Sequence, residues 1–250
     1  MISEAYTNII QSSVLHVAFF YRRGDIARAL IARKADIDQV NAFGSTVVNH
    51  LFQPEPVQQG TSTIEFIEIL LSCSFSGFKS LTWLGYSSLH RAAAYGTAED
   101  VERLIRCGTP LNVETNVEKW SPIFFAVAHG NIHTFQQLAT HYNGDHVKHI
   151  DNKGRTLLHL AASTGNSELI QMLIAHGSDP HARSYPIIET APQSSWDMPG
   201  TPTDVAECAG PSALEAYIQG VRNGGVDIDQ RTDDIFWPTE EAHSTSLADP

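Results

Sequence analysis

Histidine is the residue type whose spacing in this chain could support chemistry. The stretch HYNGDHVKH brings together three histidines and an aspartate: His141, Asp145, His146 and His149. Imidazole and carboxylate groups are common zinc ligands, but zinc sites of known type show tighter i,i+4 or paired-cysteine spacing. The sequence has no Gly-rich phosphate loop, nucleophile elbow or metalloprotease motif. We therefore predict a protein that is not an enzyme and has no cofactor or metal, with a metal-dependent hydrolase using His141, His146 and His149 as a less favoured alternative.

A second set of histidines occurs at the same position in separate segments of the chain instead of being close together in sequence. His16, His90 and His159 each follow by three residues a serine or threonine that is suited to cap a helix. A histidine at this place can bond the capping hydroxyl with one ring nitrogen and a backbone carbonyl with the other. Because each belongs to a different segment of the chain, a structural role is predicted and a shared metal site is not.

These histidines lie in short amphipathic segments, of which residues 156–180 (TLLHLAASTGNSELIQMLIAHGSDP) are a clear example. Thr156 is a good N-cap, apolar residues follow at helical spacing, and Gly165 separates a first helix from a second. An isolated helix of about ten residues is marginal in water. Each pair of helices must therefore bury its apolar stripe against a neighbouring pair.

Similar units recur along the chain. Their capping residues give starts at Ser13, Ser45, Ser87, Ser121, Thr156 and Thr201. A unit of about 33 residues containing T-P-L-H-x-A resembles the ankyrin repeat, and the units from Ser87 (SSLHRAAAYGTAEDVERLIRCGTPLN) and Thr156 match most closely. The unit from Ser45 is the weakest, since an insertion removes its glycine. The resemblance implies an all-α solenoid of about six stacked helix-turn-helix units with protruding hairpin fingers.

The expected ankyrin-repeat domain covers residues 1–225, with insertions at 52–63 and 184–199. The second insertion lengthens a finger and contains Trp196 among other apolar residues, which either fold back onto the stack or meet a partner. Residues 226–250 form an acidic tail that we expect to be disordered.

Composition restricts both the partners that the protein is expected to bind and the compartment in which it is expected to occur. The chain has 16 basic and 28 acidic residues, a formal net charge of −12, and no basic run, so nucleic acid is not an expected partner. Three scattered cysteines indicate a reducing compartment, and no apolar run approaches membrane-spanning length. We expect a monomer that does not engage a membrane and is located in the cytoplasm, the nucleus or both.

The resemblance also implies a function, because ankyrin modules usually bind proteins on the concave side formed by fingers and first helices. We therefore predict a non-catalytic scaffold or adaptor for another protein. Register assigns these contact residues: Trp83, Tyr86, Tyr95, Trp120, His129, Asn152, Lys153, Arg155, Ser163 and Thr164, with Trp196 added from the long finger. The aromatic members are expected to form one strip, although packing of some rings between fingers remains open. An alternative is a sensing or targeting segment of a larger protein, similar to ankyrin regions of fungal multidomain proteins.

Overall fold

The computed structural model describes residues 11–54, 60–142, 144–184 and 200–226. Its α-helices are α1 (Val14–Phe20), α2 (Gly24–Ala32), α3 (Thr63–Ser72), α4 (Ser88–Tyr95), α5 (Ala98–Arg106), α6 (Pro122–Ala128), α7 (Ile132–His141), α8 (Leu157–Thr164), α9 (Ser167–Ala175), α10 (Pro202–Ala209) and α11 (Pro211–Asn223). Short 3-10 helices span Val47–His50, Gly77–Lys79 and Asp145–Lys148. Within these ranges, no helix is both long and apolar enough to cross a membrane.

The helices form an all-α stack of pairs, as predicted. The first members, α1, the 3-10 helix Val47–His50, α4, α6, α8 and α10, contact one another in chain order. The second members also meet, α2 with α3, α3 with α5, α5 with α7, and α9 with α11. Fully buried alanines such as Ala92, Ala93, Ala161 and Ala162 line the first helices, where small side chains let neighbouring layers approach closely.

The second pair departs from the prediction. Its cap is Thr46 rather than Ser45, and its first helix is a single 3-10 turn, Val47–His50. The Thr46 hydroxyl donates to Asn49 Oδ1 at 2.7 Å, so asparagine stands where other units have histidine. The second helix of this unit, α3, begins only at Thr63.

The predicted capping histidines are confirmed as structural residues. Nδ1 of His90 accepts from the Ser87 amide at 3.0 Å, and Nε2 donates to the Trp120 carbonyl at 3.1 Å. His90 is fully buried, and this burial lowers its pKa to about 4. His16 and His159 make the same pair of contacts to their own layer and the next.

Hairpin fingers connect successive pairs and are joined to one another. Asp151 closes one finger by donating its amide to the Arg155 carbonyl at 3.0 Å. Between neighbouring fingers, the amides of Trp83, Asn116 and Asn152 donate to the carbonyls of Phe43, Leu84 and Glu118 at 3.1, 2.9 and 3.0 Å. Main-chain hydrogen bonds therefore tie the fingers into one edge of the stack.

Several predictions fall wholly or partly outside the described residues. Residues 55–59 of the first predicted insertion, residues 185–199 of the second, which include Trp196, and residues 227–250 of the predicted tail lie there. The predicted domain limits, the disorder of the tail and the role of Trp196 stay predictions.

Candidate docking surface

Five ring side chains lie together on the finger side of the first helices. Phe125 is central, because its ring centroid lies 5.5 Å from those of both Tyr86 and Trp120. His129 stacks on Phe125 at 6.1 Å, and Tyr95 meets His129 edge-on at 4.8 Å. We call these residues, Tyr86, Tyr95, Trp120, Phe125 and His129, the aromatic cluster. Its rings are only partly buried, so the cluster offers apolar surface to solvent.

The repeated layers explain why these rings converge. Tyr86 and Trp120 stand just before the caps of α4 and α6, at the base of two neighbouring fingers. Phe125 and His129 are four residues apart and therefore share one side of α6 and its C-terminal end. His129 Nδ1 donates to the Phe125 carbonyl at 3.0 Å, which leaves Nε2 to accept from the Tyr95 hydroxyl at 2.9 Å. Hydrogen bonds thus hold the ring of His129 in one orientation.

Trp83 occupies a separate place at a fingertip. Its side chain is 72% exposed, and in the described part of the chain it makes no ring contact with the aromatic cluster. Exposed apolar side chains continue along the tips of neighbouring fingers, and we call Phe43, Trp83, Leu84 and Val117 the tip row. The predicted single strip is therefore two surfaces, the aromatic cluster and the tip row.

Arg155 is not the exposed contact residue that register predicted. Its side chain is 7% exposed, and its Nη2 lies 2.7 Å from Oδ2 of the fully buried Asp151 carboxylate. The same oxygen accepts from Trp120 Nε1 at 3.1 Å, and the guanidinium carbon lies 5.8 Å from the centre of the Trp120 ring. Arg155 therefore supports Trp120 from inside the stack, because a buried carboxylate requires a partner of opposite charge.

The remaining predicted contact residues use polar atoms within their own stack. Asn152 Nδ2 donates to the Val117 carbonyl of the neighbouring finger at 2.8 Å. The hydroxyls of Ser163 and Thr164 donate to carbonyls one turn earlier in α8, at 2.7 and 2.9 Å. Lys153 is half-buried, and its amide donates to Asp151 Oδ1 at 2.9 Å. These four residues contribute surface, but the amide of Asn152 and the hydroxyls of Ser163 and Thr164 already donate within the stack.

Two residues at the surface were not predicted from the sequence. Phe125 and Arg91 both occupy the variable x position of T-P-L-H-x-A, in SPIFFA and SSLHRA. That position is partly exposed, whereas the histidine slot before it and the alanine after it are buried. An aromatic residue or arginine at x was the signal that could have identified them.

The histidines of the hydrolase alternative do not converge. His141 Nε2 lies 3.0 Å from Glu102 Oε2 of α5, while His146 is buried against the rings of Phe135 and His176. Within the described ranges, no three His, Cys, Asp or Glu side chains form a group that could hold a metal ion. The structure gives no support to the hydrolase alternative.

Comparison with known proteins agrees with this geometry. A family model described as ankyrin repeats matches three copies over residues 89–184. These residues are ankyrin repeats. The match runs from the second residue of α4 through α9, and it includes every residue of the aromatic cluster except Tyr86. Assignment of the outer pairs as further copies stays a prediction.

Individual relatives are also ankyrin-repeat proteins or share the fold. Ankyrin repeat and SOCS box protein 3 of Homo sapiens is 31% identical over 42% of this chain and 20% of its own length. The nuclear factor NF-kappa-B p105 subunit of Gallus gallus is 24% identical over 80% of this chain and 21% of its own length. A chain from the complex of a Bdellovibrio bacteriovorus predatory endopeptidase with an immunity protein superposes with a TM-score of 0.64 at 19% identity, over 82% of this chain and 97% of that chain. This chain thus spans about a fifth of the length of the two curated relatives.

Proposed function

We propose that the ankyrin repeats form a non-catalytic docking platform, and that a partner protein binds the aromatic cluster together with the tip row. The observation that carries the proposal is the convergence of five partly exposed rings from two fingers and two first helices on one face. Aromatic residues are over-represented among the side chains that dominate binding energy. Ankyrin repeats are generally used for protein–protein interaction, which supports this assignment.

The mechanism is rigid presentation. Main-chain bonds between fingers and the internal bonds of His129 and Trp120 fix the contact surface before a partner arrives. Less conformational entropy is then lost on binding, so more of the contact energy contributes to affinity. The surface needs no bound metal or cofactor to act in this way.

Affinity capture with quantitative mass spectrometry tests this function. The double variant Trp83→Ala and Tyr86→Ala should retain at least about tenfold less of the specific partner than the unaltered 250-residue chain, because it removes one ring from each surface. Trp120 is left in place, since its contacts with Asp151 and Phe125 make it part of the support.

The matched control is Leu71→Ala, which removes a 44% exposed apolar side chain from α3, a second helix. Capture should survive this change, and thermal unfolding should show that all variants remain folded. Equal retention by the double variant and the unaltered chain would exclude this face as the docking surface.

A second candidate function, a sensing or targeting segment of a larger protein, is supported by the small share of each curated relative that this chain spans. Such a segment would use the same docking surface. Sequencing of the full-length transcript tests it, since an open reading frame confined to these residues would contradict it. Location in the cytoplasm or nucleus and a monomeric state also stay predictions.

A further inference from the structure

Arg22 occupies a backbone position at which later units have glycine. It lies nine residues after its cap, as Gly130 and Gly165 do after theirs. All three have positive φ, 50° for Arg22, 67° for Gly130 and 66° for Gly165. This conformation costs a residue with a Cβ roughly 1–2 kcal/mol. The chain therefore retains an arginine where glycine would be favoured by the backbone.

Arg22 and Arg91 converge on the end of the shortened second unit. Arg22 Nη2 donates to the Leu51 carbonyl at 3.3 Å, and Arg91 donates from Nε and Nη2 to the next carbonyl, that of Phe52, at 3.1 and 3.0 Å. Arg91 Nη2 also donates to Gln53 Oε1 at 3.1 Å. The two guanidinium groups are thus both held by the short segment Leu51–Gln53.

The bonds to these carbonyls use only part of the hydrogen-bonding capacity of the two guanidinium groups and do not neutralise their positive charge. A guanidinium has five N–H donors in a fork that fits a carboxylate. Across the described ranges, neither arginine forms an ion pair with a carboxylate, and the buried Nε of Arg22 has no hydrogen-bond partner. Burial also lowers the pKa of Arg91, because a desolvated cation is destabilised when no anion compensates it.

An open groove leads from Arg22 to the aromatic cluster. It has a volume of about 780 Å³ and is lined in part by Arg22, Gln53, Tyr95, His129 and His133. Asp100 also lines it, but its carboxylate is already engaged by the hydroxyls of Thr63 and Thr97. Within the described ranges, Arg22 therefore lines the groove as a guanidinium without a carboxylate partner, and Arg91 adjoins the groove through its hydrogen bond to Gln53, in a chain whose formal net charge is −12.

We propose that Arg22 and Arg91 form a carboxylate-binding site, which receives an aspartate or glutamate side chain of the partner segment that docks on the aromatic cluster. The inference rests on the proposed function and specifies its partner as acidic at this point. The held guanidinium groups supply charge-assisted hydrogen bonds, and the adjoining rings of Tyr95 and His129 receive apolar side chains next to the acidic residue.

Selection of short random peptides displayed on phage against the full 250-residue chain tests the proposal. Enriched peptides should contain Asp or Glu beside an aliphatic or aromatic residue, and their synthetic copies should bind more weakly as salt is raised. Arg91→Gln should weaken this binding about tenfold or more, the loss expected for a charge-assisted hydrogen bond. Arg106→Gln is the matched control, because Arg106 is exposed on α5 and paired with Glu102.

Arg22→Gly provides a variant that is expected to fold, since glycine removes the cost of the positive φ. It should keep thermal stability while binding the acidic peptides about tenfold less tightly. Enrichment of peptides without acidic residues would overturn the carboxylate site but leave the docking function intact. Failure to enrich any peptide would contradict both.

Discussion

At the scale of single residues, one position three residues after each cap shows how the layers are joined. His90, Asn49 and Asp204 all accept a hydrogen bond from the backbone amide of their cap, at 3.0, 3.2 and 2.6 Å. Only the histidine ring also reaches the next layer, where Nε2 of His90 meets the Trp120 carbonyl. A histidine at this position therefore connects two repeats, whereas asparagine or aspartate bonds only the cap of its own repeat.

The buried histidines predict a loss of stability in acid. Burial lowers the pKa of His90 from 6.5 to about 4, so between these values the unfolded chain binds more protons than the folded chain. The free energy of unfolding should therefore fall as pH decreases through this window, by up to roughly 3 kcal/mol from His90 alone. The pKa values of His16 and His159 are lowered in the same direction. Urea unfolding at a series of pH values measures the effect.

His90→Asn is the control for this prediction, because Asn49 already serves the same position in the second unit. The variant should be less stable near neutral pH, since it loses the bond to Trp120. Its stability should also depend less on pH between 6.5 and 4. An unchanged dependence would mean that other groups cause the acid sensitivity.

At the scale of elements, the sequence predicted most first helices and their caps but not the short turn of the second unit. Capping residues and the apolar stripe are local signals, and they identified α4 and α8 directly. The turn Val47–His50 is followed at once by the Leu51 and Phe52 carbonyls, which accept hydrogen bonds from Arg22 and Arg91, and no local pattern reveals such long-range contacts. The same limit applies to the residues of the docking surface. The repeat register correctly placed Tyr86 and Trp120 beside the caps, but the buried ion pair of Arg155 with Asp151 could be seen only in the folded finger.

Two glycines that end helices provide an element-scale prediction. Gly165 has a φ of 66°, and a Cβ there would lie 3.2 Å from Ala213 Cα of the next layer. Gly177 has a φ of 88°, but a Cβ would meet no atom within 4 Å. Gly177→Ala should cost about 1–2 kcal/mol through backbone conformation alone, and Gly165→Ala at least about 1 kcal/mol more through overpacking. Chemical denaturation measures both values, and equal costs would contradict close packing of α8 against α11.

At the scale of the whole molecule, the stack is a linear array in which each pair meets mainly its neighbours. Stability in such an array is approximately a sum of unit and interface contributions. The second and third pairs are joined by an ion pair between Arg103 and Glu68 and by the contact of Thr63 with Asp100. A local defect should therefore reduce local stability most strongly in the adjacent layers.

Truncation of a core side chain tests this property. Leu158 is fully buried, and Leu158→Ala should lower the free energy of unfolding by about 2–5 kcal/mol through lost burial and a cavity. Native-state hydrogen exchange should then accelerate in α6 to α11 and remain nearly unchanged in α1 and α2. Uniform acceleration along the chain would show one cooperative unit instead of a linear array.

The bonds between neighbouring fingers join peptide groups, at Trp83 and Phe43, Asn116 and Leu84, and Asn152 and Glu118. A backbone amide donor is common to all residues except proline, so the exposed side chains of the tip row can be exchanged without removing these main-chain bonds, to which Asn116 and Asn152 add side-chain bonds of their own. For the docking platform that we propose, binding specificity and architecture are therefore separable traits, because exchange of the tip-row side chains changes the first and not the second.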